Sequence, residues 1–117
     1  MWTRIGRLKL FGSVGLTLLL GALPASAAET GVYSQSVNTV GYSAEYSEGQ
    51  LGVTLPTGDY WADIGVSPGC NLPAPNAETV RNWQSLAQSA LVSGKTVSIG
   101  YSDCAGAHYI QWLGLNA

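Results

Sequence analysis

The chain has 117 residues, five of them basic and seven acidic, for a formal net charge of −2. A length of this order fits one domain. Beyond residue 28 no basic cluster exists to replace counterions at phosphates, which argues against nucleic acid and against anionic membrane surfaces as partners.

Residues 1–28 read as a signal peptide. Arg4, Arg7 and Lys9 give a basic start, "LFGSVGLTLLLGAL" an apolar run, and "PASAA" small residues for cleavage. The run is short and interrupted by glycines, so no membrane span is expected. The exported chain is then a single domain over 29–117, periplasmic or secreted. It keeps all seven acids but only Arg81 and Lys95 as bases, a net charge of −5.

"GVYSQSVNTVGYSAEYSE" mixes β-formers with small polar residues, and Gly41 offers a place for a long strand to bend. "EGQ" turns into the strand "LGVTL", which Pro56 and "TGD" break. "YWADIGV" reads as a further strand, followed by a loop rich in Pro and Gly around Cys70. A helix follows. Asn76 suits the N-cap, and Glu78 lies in the first turn, where the helix dipole favours negative charge. Val80, Trp83, Ala87, Ala90 and Leu91 recur at helical spacing, and Gly94 stops the element. In "KTVSIGYS", Val97, Ile99 and Tyr101 alternate with small residues, as in a half-buried strand. "HYIQWLGL" reads as its neighbour, apolar on both faces, with Trp112 taken into the core.

The fold expected is mainly β with one α-helix. Its form is a small OB-fold-like antiparallel barrel of five to six strands, with the helix between the third or fourth strand and the next. An open antiparallel sheet with the helix across one face is the other arrangement this order permits. Cys70 and Cys104 are the only cysteines, and in an exported chain a disulfide between them is expected. Two cysteines and one histidine without CxxC spacing make poor zinc ligands, so neither metal nor cofactor is expected.

The stretch "KTVSIGYSDCAGAH" holds residue types that active sites use, including Asp103 and the single histidine, His108. It lacks a GxSxG elbow, and proximity in sequence does not make a triad. Glu45, Glu48, Asp59 and Asp63 lie in polar, turn-flanked settings where solvated carboxylates are the default. The expectation is therefore a strand, a disulfide anchor and a turn, with no catalysis. The exported part has no Phe, three Trp and six Tyr. Rings with polar tips suit binding surfaces.

"GVYSQSVNTV" followed by "NAETVRNWQSLAQSALVSGKTVSIGY" resembles the B subunit of subtilase cytotoxin and its relatives. These are small exported OB-fold proteins that assemble as pentamers and bind sialylated glycans. The resemblance covers about half of the exported chain. It implies a glycan-binding, toxin-B-like protein, with a homopentamer and a toxin A subunit as possible partners. The ligand-binding residues it implies are Ser34, from the Tyr33-Ser34 pair, and Tyr101 after the helix. Thr30 stands where the family has an aspartate, and Glu29 lies beside it; both would close the pocket. Glu29 is a poor neighbour for an anionic sugar, so a neutral glycan is expected at least as readily as a sialylated one. The disulfide is placed differently from the family's, and the segment after Tyr101 is shorter. The alternative function is a small secreted or periplasmic inhibitor that grips a protein partner through its edge strands and a loop carrying Trp61.

Overall fold

A computed structural model describes residues 28–44 and 48–117. The signal-peptide reading falls almost wholly on 1–27, and Glu45 on 45–47, outside the described residues. Six strands and one helix follow in order: β1 (Glu29–Ser36), β2 (Thr39–Ser43), β3 (Gln50–Leu55), β4 (Gly58–Asp63), α1 (Ala77–Ser93), β5 (Thr96–Cys104) and β6 (Ala107–Leu115).

The fold is mainly β with one helix, which enters between the fourth and fifth strands. The six strands form one sheet in the order β1-β5-β6-β4-β3-β2. Neighbours are antiparallel except β4 and β6, which run parallel through Tyr60↔His108 and Trp61↔Tyr109. The sheet is thus mixed and open where a closed antiparallel barrel was expected. The tight pairs are local: β3 turns into β4 at Pro56-Thr57, and β5 into β6 at Ala105-Gly106. Both residues of the second turn have positive φ, 53° and 81°, as a two-residue hairpin loop requires. The segment around Gly41 does not bend as one long strand. It breaks at Val37-Asn38 and sends β1 and β2 to opposite edges, with no ladder between them to close a barrel.

The helix begins and ends where its capping residues place it. The Asn76 side chain accepts a bond from the Thr79 amide at 2.8 Å. Gly94 adopts φ 74° and donates its amide to the Ala90 carbonyl. Val80, Ala87 and Ala90 are buried, and Trp83 and Leu86 pack against the core beside them. Leu91, expected on this face, is 43% exposed, being about 100° round the helix from Ala90. Inward side chains alternate along the strands to complete the core: Leu51, Val53 and Leu55 on β3, Tyr60 and Ala62 on β4, Val97 and Ile99 on β5.

A disulfide joins Cys70 to Cys104, with Cα atoms 6.0 Å apart. It ties the loop before the helix to the end of β5. Among the described residues, no helix is long and apolar enough to cross a membrane.

Candidate functional site

The side of the sheet opposite the core carries the aromatic residues that the core does not use. Gly31 on β1 pairs with Gly100 on β5, and Gly100 pairs with Trp112 on β6. Two adjacent glycines leave a floor without side chains. The Trp112 indole lies over Gly100, and Tyr33 folds back over Gly31, with its Cζ 2.7 Å from where a Cβ would stand. The two rings face each other with centroids 6.1 Å apart. Trp112 Nε1 donates to Glu29 Oε2 at 2.8 Å, which fixes the indole against the β1 edge. Tyr33 remains 64% exposed. The group offers an exposed tyrosine ring, a half-buried indole and an exposed carboxylate, with the Gly100 backbone buried beneath the indole.

Trp112 is therefore not a core residue. In a regular strand Ile110 and Trp112 would share a face. The register between β5 and β6 shifts at Gly100/Tyr101, where Tyr101 opposes Ile110 and Gly100 opposes Trp112. Gln111 is the extra residue of this bulge, so Ile110 and Leu113 both turn inward and Trp112 turns out. Trp61 is likewise not on a loop. It lies within β4, opposite Gly52, on the same outward side.

The four residues that the resemblance implies do not converge on one pocket. Thr30 and Tyr101 are register partners, and Glu29 pairs with Ser102. Glu29 turns to the outward face and Trp112. Tyr101 turns to the core side, in phase with Val97 and Ile99, and packs against the core. Ser34 lies four residues beyond Thr30, roughly 13 Å along the strand. It occupies a second bulge, between the pairs Val32↔Ile99 and Gln35↔Val97, at φ 54°. Its amide donates to Ser98 Oγ at 3.2 Å. Ser98 is held in turn by Asn116, whose Nδ2 lies 3.2 Å from the same oxygen.

On the core side, Tyr101 joins a separate aromatic cluster. Its ring meets Tyr60 edge-on at 5.1 Å and His108 at 4.6 Å, and Tyr60 stacks on His108 at 5.2 Å. His108 Nδ1 is hydrogen-bonded to Asp103. Burial pushes the Tyr101 phenol above its ordinary value of 10.0, and Tyr60 and Asp103 add to the shift. Above about pH 10 the unfolded chain then releases this proton while the folded chain holds it, so stability falls as pH rises through that window. Urea unfolding at pH 9 and pH 11 should show a larger loss for the parent than for Tyr101→Phe. Equal losses would mean that the phenol ionises alike in both states.

Sequence reasoning missed the Tyr33–Trp112 pair, and it gave Trp61 a binding role but on a loop instead of β4. The available signal was the glycine placed across from each tryptophan, which pairing alone reveals. No family model matches the chain, and no curated protein matches it.

Proposed function

We propose that the chain is an exported, non-catalytic glycan-binding protein of the toxin-B-like kind, and that it binds sugar on the outward face of β1, β5 and β6. The observation that carries this reading is the Tyr33–Trp112 pair standing over Gly31 and Gly100. A pyranose presents C–H groups on its faces and hydroxyls at its rim. The Tyr33 and Trp112 rings take the first, and Glu29 and Ser34, which flank Tyr33 on β1, take the second as acceptor and as donor or acceptor. The Glu29 carboxylate repels an anionic sugar, so the ligand is a neutral glycan. The disulfide suits an oxidising compartment. The two edge strands, β1 and β2, provide the surfaces through which copies pair into a ring, with the pentamer and a toxin A subunit as the assembly that the resemblance implies.

Glycan-array binding of residues 29–117, with the mass in solution measured alongside, tests this. Neutral glycans should bind, and Trp112→Ala should weaken them ten-fold or more, a change of about 1.4 kcal/mol or greater. Ser34→Ala should weaken binding less, and Tyr101→Phe should leave it unchanged, because Tyr101 faces the other side of the sheet. Binding unaffected by Trp112→Ala would reject the surface. An array with no bound glycan would favour a protein partner gripped at the edge strands, and a monomer at micromolar concentration would remove the ring.

A further inference from the structure

A second aromatic platform stands across the sheet, on β2, β3 and β4, and shares no residue with the first. Gly41 and Gly52 are cross-strand partners, and Gly52 pairs with Trp61. The Trp61 benzo ring covers Gly52, with Cζ3 2.7 Å from the place a Cβ would take. Nothing lies within 4 Å of the corresponding place at Gly41. The result is an open depression of about 350 Å³, floored by the two glycines and walled by Trp61, with Thr39, Thr54 and Gln50 at its rim. That volume is at the lower end for small-molecule sites, about 300–1,000 Å³.

The polar groups round Trp61 are held in place before any ligand arrives. Asp59 and Asp63, two residues either side of it on the same face, each take a cross-strand bond. Thr54 Oγ1 donates to Asp59 Oδ1 at 3.0 Å, and Gln50 Nε2 donates to Asp63 Oδ1 at 2.7 Å. A carboxylate accepts about four hydrogen bonds, so each retains capacity for donors from outside. An indole beside a flat floor takes a ring with axial C–H groups. Thr39, Thr54 and Gln50 line the depression and take hydroxyls, and Asp59 and Asp63, which flank it and hold Thr54 and Gln50, repel negative charge.

We infer that the depression at Trp61, Gly41 and Gly52 is a second saccharide site, specific for an uncharged pyranose. It extends the glycan-binding reading to a second surface but stands on different residues. The site is open and shallow, and its affinity for one sugar is on the order of millimolar. Two sites on one face allow a branched or repeating glycan to engage both, with avidity above that of either alone.

The test is a nuclear magnetic resonance titration of residues 29–117 with methyl β-glucopyranoside, whose equatorial substituents leave axial C–H groups on both faces. Methyl β-glucuronide, the same ring with a carboxylate, is the charged control. The indole N–H of Trp61 and the amides of Gly41 and Gly52 should shift with the neutral sugar and shift far less with the charged one. Trp112→Ala should retain these shifts, and Trp61→Ala should lose them. Gly41→Val should also lose them with the fold intact, because its side chain fills the floor without meeting a neighbour. Shifts at Trp112 with none at Trp61 would reject this site and keep the first. Shifts at Trp61 alone would keep this site and reject the first. Absence of shifts at Trp61, or their persistence in Gly41→Val, overturns the inference.

Discussion

Cys104→Ser should melt roughly 15–30 °C below the parent protein. Cys70 and Cys104 are 34 positions apart, and the loop they close contains the entire helix and nearly all of β5. Removing that constraint frees the unfolded chain by about 4 kcal/mol in the chain-entropy account. For a domain of this size each kcal/mol is worth about 4–8 °C. The bond also acts on a loop with little regular structure of its own. Cys70 and Asn71 both have positive φ, 56° and 59°, which side-chain-bearing residues adopt at a cost. Ser67 bridges the same loop by donating to the Leu72 carbonyl at 2.6 Å. Thermal unfolding of the variant, and of the parent under reductant, should agree. A shift below about 5 °C in both would mean that sheet and helix hold this end of the fold unaided.

Tyr60→Ala should cost about 3–5 kcal/mol, the range for removing a buried ring. Tyr60 is 1% exposed and is the largest of the fully buried side chains among the described residues. It sits where β4 meets β6, in the one parallel pairing of the sheet. Its ring supports both Tyr101 and His108, so truncation removes contacts that join three strands. Tyr60→Phe separates packing from polarity. It removes only the hydroxyl contact with Thr57 Oγ1 at 2.8 Å and should cost about 1 kcal/mol. Denaturant unfolding of the two variants reads the difference. Equal losses would place the stabilisation in the hydroxyl and not in the ring.

If the outward platforms bind sugar, the two sides of the sheet divide the labour. Core-side aromatics join strands that are distant in sequence, and outward aromatics meet the ligand. Substitutions at Trp61 and Trp112 should then change binding with little change in stability, and substitution at Tyr60 should do the reverse.

Much of the local structure was legible in the sequence because it depends on neighbours in the chain. Asn76 and Gly94 bound the helix through their own backbone and side-chain bonds. The alternation of Val97, Ile99 and Tyr101 placed the Tyr101 ring on the core side. The two cysteines of a small β-rich chain indicated their own pairing. Strand order and face were decided only by tertiary structure. The sequence offers no local reason for β1 to pair with β5, or for β4 to lie parallel to β6. Those pairings separate Ser34 from Tyr101: Tyr101 opposes Thr30, and Ser34 lies in a bulge roughly 13 Å further along β1. They also set a glycine beneath Trp61 and another beneath Trp112. The outward turn of Trp112 depends on a single extra residue, Gln111, in the β6 ladder. A bulge reverses every side chain after it, and only the partner strand determines where it falls.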